Sequence, residues 1–517
     1  MKSVLPLAVA AVMGAQVNLA QSVSARAAAR LLDQATWGPT PASVAEVQSM
    51  GIENWLQAQF AAESSDLPDQ PILNPQGKSD NDLTSVQSAF FQNALGGNDQ
   101  LRQRVAFILS QIWVVSATSG VPQAYAYPPY WRIFRDNAFG NYRDLIKAVT
   151  LNPAMGGYLN MANNNKGNAA KNTSPNENYA RELMQLFTIG LTQLNLNGTP
   201  VLDSNHNPVP TYDQSVVTNT ARLLTGWTYP TAPGVMAKTN NPAYYLGQMF
   251  AVESEHDETS KTIVGNVVVP AGQTAEQDLE SLLDTLMAQP SMAPFISQQL
   301  IQHLVTSNPS PAYVQRIAQV FQNDGTGVTG NLKAVISAIL TDEEARAGDA
   351  SPSAVTANFG HLREPILFMT DVLRGLNTTL DYPNAAASTA SSLGENLFYA
   401  PSVFSYFSPQ YRTQSGLLGA EFQIYSTQTA ATRADIVNSL LYGTLGGIKV
   451  NLSSFTAPVE DTSQLLNAIA SVFLHGAMST QLETAATSAV NAQTTALAKA
   501  QAALYMILTS SEYQVIQ

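Results

Sequence analysis

Apolar residues recur at three- and four-residue intervals along most of this 517-residue chain, and that rhythm commits it to packed helices. Val105, Ile108, Leu109 and Ile112 keep the spacing, as do Val314, Ile317, Ala318 and Phe321. Leu332, Val335, Ile336 and Ile339 repeat it, and so do Met369, Val372, Leu373 and Leu376. Each set makes one apolar stripe on a 3.6-residue helix, and a stripe must be buried against a partner. Ser310-Pro311 marks a helix start, a cap residue followed by proline at the first helical position. The fold class expected is mainly α. One small β-hairpin is expected within residues 194–212, where Asn197-Gly198 separates short alternating segments. Long loops rich in Pro, Gly and Asn are expected at about 64–82, 163–174, 195–210, 230–242, 345–352 and 377–392. The Ala-, Thr- and Gln-rich stretch 481–510 reads as one long helix with a packing role.

The amino terminus follows a different pattern. Met1-Lys2 and the apolar run 4–15 resemble a short secretory signal, expected to occupy residues 1–25 and to leave 26–517 as the helical domain. Cleavage after Ala25 and after Ala20 are both open, and a buried first helix fits the same run. No other segment holds eighteen uninterrupted apolar residues, so no membrane span is expected after signal removal. The expected location is secreted or periplasmic. The chain has no cysteine, which excludes disulfides, thiolate metal sites and a cysteine nucleophile. Its formal charge of -13, with no basic stripe, argues against nucleic acid as a partner.

The densest information lies in residues 174–190, SPNENYARELMQLFTIG. Ser174 and Glu177 have capping-box spacing, Pro175 suits the first helical position and Gly190 the stop. Ala180, Leu183, Met184 and Phe187 form the apolar stripe, leaving Asn178, Arg181, Glu182 and Gln185 on other faces. This run resembles the central motif of the bacterial domain-of-unknown-function 1800 family. Further similar blocks follow in order: Ala29 to Leu32 with Gly38-Pro39-Thr40, Asn152 to Met155, Ala221 to Trp227, His256-Asp257 with Lys261, Ser307 to Val314, Arg363-Glu364-Pro365, Ala400 to Phe404, and Ser510 to Gln514. The resemblance covers nearly the whole chain and implies a single large multi-helical globular unit. It also implies a partner, since genes of this family commonly lie beside those of exported domain-of-unknown-function 1501 proteins. Family members often carry Asp where this chain has Asn160, and some carry His where Phe187 stands, which weakens Asn160 as a catalytic candidate.

Four groups are candidates for chemistry. On the motif helix, Glu182 is a candidate general acid or base, with Asn178 and Arg181 as substrate-binding neighbours and Glu177 one turn from Arg181. A structural network joining helices is the competing reading. His256 and Asp257, followed by Glu258 and Lys261, form the second group: His256 and Asp257 as catalytic residues, Lys261 as substrate-binding or as the ion-pair partner of Asp257. Their spacing matches no metal motif, so no metal ligand is assigned, and no cofactor follows from the sequence. In the third group, Asp213, Arg222 and Trp227, the indole is an aromatic platform for a sugar or a core side chain behind a glycine turn. In the fourth, Arg363-Glu364-Pro365, Arg363 is an anchor or binds an anion. His303 reads as a core histidine and His206 as turn chemistry, while Asn163-Asn164-Asn165 offers amide oxygens to calcium only weakly. Export, an amide-rich surface and carboxylates beside Arg, His and Lys point to a hydrolase or lyase acting on an extracellular glycan or other polymer. The alternative is a non-catalytic envelope scaffold or an assembly or export partner of a domain-of-unknown-function 1501 protein.

Overall fold

The computed structural model describes residues 23–382, 384–456 and 461–517. The region expected to hold the signal falls almost wholly outside them. The periodic sets above lie on the helices Gln100–Ile112, Pro311–Gln322, Leu332–Thr341 and Pro365–Gly375, with Leu376 capping the last, and all their stripe residues are buried. One contiguous apolar core runs from Ala28 to Ile516 among the described residues. Antiparallel two-stranded pairs are the extended structure between them, among them Lys261–Ile263 with Val267–Val269 and His361–Leu362 with Val515–Ile516. The β content thus exceeds the single hairpin expected.

The expected hairpin is present as a three-segment meander. Leu194 bridges Pro200, Leu202 bridges Pro208, and Thr192 bridges Pro210. Proline has no N–H to donate, so these contacts stay isolated bridges instead of extending into a ladder. Two other boundaries differ from expectation. The stretch 377–392 contains the helix Asn384–Ser392, which buries Ala386, Ala387 and Ala390. The stretch 481–510 is broken into Thr480–Asn491 and Ala496–Leu508, the second helix restarted by Thr495, whose side chain accepts from the Ala498 N–H.

The motif helix is shorter than its sequence suggests, spanning Asn178–Gln185. No Ser174–Glu177 capping box forms. Asn164 instead grips Asn176 through both backbone groups, accepting from its N–H at 2.7 Å and donating to its carbonyl at 3.0 Å, which keeps the approach extended. That bond also commits the Asn164 amide oxygen, so it is not offered to calcium. Gly190, at φ 71°, ends the segment as expected, and a Cβ there would lie 2.8 Å from the Phe295 ring.

The carboxyl terminus fixes the segment that carries Arg363 and Glu364. His361 pairs with Ile516 and Leu362 with Val515, and the Arg363 N–H donates to the Gln514 carbonyl at 2.7 Å. Gly360, at φ 98°, permits this close approach, since a Cβ would sit 2.2 Å from the Ile516 carbonyl oxygen. Pro365 then opens the helix Pro365–Gly375.

Candidate active site

The sequence-derived candidates do not gather in one place. On the motif helix, Glu177 accepts from Arg181 Nη2 at 3.0 Å, from Gln214 Nε2 at 2.7 Å and from the Thr218 hydroxyl at 2.8 Å. Arg181 therefore helps join this helix to Gln214–Leu223, a structural role. Asn178 donates to the Asn160 side chain at 3.3 Å. Glu182 is half-buried with one carboxyl oxygen lacking a protein partner, and burial raises its pKa against the opposing charge of Arg181.

The second group divides between interior and surface. His256, Lys261 and Asp278 are buried together: Asp278 Oδ2 lies 2.6 Å from Lys261 Nζ and 3.1 Å from His256 Nε2. The other ring nitrogen of His256 is 3.0 Å from the Thr225 carbonyl. Neither His256 nor Lys261 has a solvent face with which to meet a substrate, which corrects their placement among site residues. Lys261 pairs with Asp278 and not with Asp257. Asp257 accepts from Arg222 Nε at 2.8 Å and from the Thr259 N–H at 2.9 Å, and these bonds bring its pKa down to about 2 against the effect of burial. Trp227 is 2% exposed, so its ring serves the core and has no free face for a sugar. Arg363 is equally enclosed, held by Asp33 and by Asp371 at 2.8 Å, and acts as an anchor instead of a substrate contact.

A different set of residues lines a cleft with a cavity of about 460 Å³. One wall is the helix Met292–Leu304, which turns Phe295, Gln298, Gln299 and Gln302 to the opening at three- and four-residue steps while Ile296, Leu300 and Leu304 enter the core. His303 lies at the border of the two faces and lines the cleft, so its expected place among core histidines is corrected. Burial, with Arg104 and His361 nearby, lowers its pKa to about 3, which keeps the imidazole neutral over the physiological range. The remaining wall comes from the end of the motif segment, the 191–198 meander and residues 403–421.

At the floor stand Gln111 and Glu421, each 6% exposed. Glu421 lies in the short helix Ala420–Ile424, which is pinned by Asn308: its side chain donates to the Leu418 carbonyl at 2.9 Å and accepts from the Leu418 N–H at 3.0 Å. One Glu421 oxygen is 3.2 Å from His361 Nδ1, and the other has no protein partner. Gln111 Nε2 donates to Glu364 at 2.7 Å and to Glu395 at 3.3 Å, while its Oε1 has no protein partner. The Glu364 and Glu395 carboxyls adjoin each other across the Gln111 amide. Burial raises both pKa values, most strongly for Glu395, where the neighbouring Glu364 adds to the effect. Two carboxyls so placed favour a proton on one of them over two charges side by side. Glu395 also accepts from the Ile366 N–H at 2.8 Å, satisfying the helix start that Pro365 opens. Arg104, 3.9 Å from Glu364, is the buried cation of the group and donates to the His303 carbonyl at 2.9 Å.

Four segments that carry the family resemblance meet here: the end of the motif run, Ser307, Glu364, and Val403-Phe404. The family's sequence profile matches residues 30–515. The chain belongs to the family described as Protein of unknown function (DUF1800). Compared with curated proteins and with solved structures, the chain matches none. Among the described residues, no group of three or more His, Asp or Glu is arranged to hold a metal ion, and no helix is long and apolar enough to cross a membrane. Gln111, Glu395 and Glu421 were missed in the sequence because each stands alone there. Only Arg363-Glu364-Pro365 and Ala400 to Phe404 pointed toward them.

Proposed function

We propose that this family member is an exported acid–base enzyme, a hydrolase or lyase acting on an extracellular glycan or other polymer, with Glu421 as its general acid or base. The observation that carries the reading is a carboxylate held by His361 on one oxygen and unmet on the other, at the floor of a cleft of ordinary ligand-binding size. In hydrolysis Glu421 would take the proton of an attacking water, and in elimination the proton beside the departing group. His303, a neutral imidazole on the same cleft, is the second candidate for proton exchange. The buried Glu364–Glu395 pair sets the field behind the floor without touching the cavity.

The test is a screen of purified protein on polysaccharides and model esters, paired with Glu421→Gln. Turnover reduced about 10²–10⁴-fold by that change is the expected result. No turnover, or turnover indifferent to Glu421→Gln, overturns the reading.

One observation favours the scaffold reading. Leu191 and Phe404 are 57% and 42% exposed at the cleft, an apolar edge suited to a segment of an exported partner such as a domain-of-unknown-function 1501 protein. Stable co-purification of the two, lost with Phe404→Asp in a catalytically silent protein, supports it.

On this reading, the start of the described fold chooses between the two cleavage positions. Ser24 accepts from the Ala27 N–H at 3.1 Å to cap the helix Ala25–Ala35, and the Val23 carbonyl accepts from Gln48 at 3.3 Å. Cleavage after Ala20 keeps both contacts, whereas cleavage after Ala25 discards them. Sequencing the exported protein's first residues checks this, and a start beyond Ser24 contradicts it.

A further inference from the structure

We infer that the cleft selects neutral, hydroxyl-bearing sugar chains over anionic ones, and that Gln111 is the residue that reads a ligand hydroxyl. This rests on the cleft being the substrate site and names the class of chain it takes.

The argument starts from the two ends of one amide. The Gln111 NH₂ is committed to Glu364 and Glu395, so the group left over is Oε1, which accepts and never donates. Turning the amide over would set its oxygen against the oxygens of both carboxyls. The free oxygen of Glu421 is likewise an acceptor. Gln299 Nε2, buried and unpartnered on the facing helix, supplies a donor. A bound group must therefore give hydrogen bonds at two points of the floor and accept one from the wall. Leaving these atoms unmet in a closed complex would weaken binding.

Charge narrows the class further. Among the described residues no Lys or Arg lines the cleft, and Arg104 behind it is already directed to Glu364 and the His303 carbonyl. A carboxylate, sulfate or phosphate on the ligand would approach Glu421 with Glu364 and Glu395 behind it and meet no cation. Phe295, Phe404 and Phe407 offer apolar faces that suit the C–H face of a sugar ring. A hydroxyl both donates and accepts, so a neutral glycan satisfies floor and wall together.

The experiment is ligand-observed NMR and calorimetry on the full mature protein with hexamers of maltose-, cellulose- and chitin-type sugars, oligogalacturonate, and glucosamine. At least one neutral hexamer is expected to bind, with oligogalacturonate about tenfold weaker or worse, and Gln111→Met is expected to weaken the neutral ligand about tenfold. Should Gln111→Met fail to fold, Gln299→Leu on the same ligand replaces it, with the same loss expected. Equal or tighter oligogalacturonate binding overturns the inference. So does a preference for the cationic hexamer alone, an absence of neutral binding at millimolar concentration, or unchanged affinity in the folded variants. Neutral binding that depends on Gln111 without any turnover would sink the enzyme reading alone. Turnover of a uronate polymer, abolished by Glu421→Gln, would sink this inference alone.

Discussion

Arg363 and Glu364 are neighbours in the chain, yet they open onto two regions that use buried charge in opposite ways. On the Arg363 side, its guanidinium donates to both Asp33 oxygens and to the Tyr513 carbonyl, with Asp371 at 2.8 Å and the Tyr513 ring 4.8 Å away. His475 lies 2.9 Å from Asp33, so the cluster clasps the first helix, the helix Pro365–Gly375 and the carboxyl terminus. All but one Asp371 oxygen of its carboxylates is met within the protein. On the Glu364 side, three glutamates are near one arginine, and unpartnered atoms remain on Gln111, Glu421, His361 and Arg104. Gln111 and Glu421 line the cleft. The comparison teaches that buried charge alone does not mark a working site, because the clasp has as much of it. Unmet polar atoms beside a cavity do.

The comparison is easiest to break at the clasp. Arg363→Met leaves Asp33 and Asp371 buried together, and a loss of about 3–5 kcal/mol in urea unfolding is expected. A loss below about 1 kcal/mol would make the clasp peripheral.

The two regions also give the stability curve its shape. Burial pushes the Asp371 pKa up to about 7 despite Arg363, and raises Glu364 and Glu395. These groups keep their protons to higher pH than the unfolded chain does, so what they contribute is full below about pH 4 and is lost as pH rises, for Asp371 through about 7. Asp33 and Asp257 run the other way: their pKa values are lowered, and what they contribute is lost as pH falls below about 4. His303 and His475, whose pKa values burial lowers, cost stability as pH falls below about 6.5 and oppose the gain from the raised carboxyls there, so the thermal midpoint is expected to decline from about pH 6.5 toward pH 8. Glu395→Gln should flatten that decline, and a slope unchanged by it would remove Glu395 from the account.

Smaller effects sharpen the contrast with the surface. Asp257→Asn loosens a partly exposed pair with Arg222 and is expected to cost about 1 kcal/mol or less in the same unfolding assay.

The helices were legible because their information is local. Val314, Ile317, Ala318 and Phe321 announce a buried stripe without reference to the rest of the chain, and Ser310 caps that helix as its sequence implies. The motif helix was misjudged at its start because Asn164, a residue far outside the window, holds Asn176 in place of the expected box. His256 and Lys261 carried the right chemistry for a site, but Asp278, seventeen residues beyond Lys261, draws both inward. The cleft and the carboxyls behind it were least legible of all. Gln111, His303, Glu364, Glu395 and Glu421 have no shared spacing, and only the packing of five distant segments brings them together.

The most direct test compares Glu421→Gln with Glu182→Gln, the carboxylates of the cleft and of the motif helix, in turnover per folded molecule. The account predicts that Glu421→Gln keeps its thermal midpoint and loses turnover by about 10²-fold or more, while Glu182→Gln stays within a few-fold of the natural protein. The reverse pattern, an active Glu421→Gln and an inactive, folded Glu182→Gln, would contradict it and move the site to the motif helix.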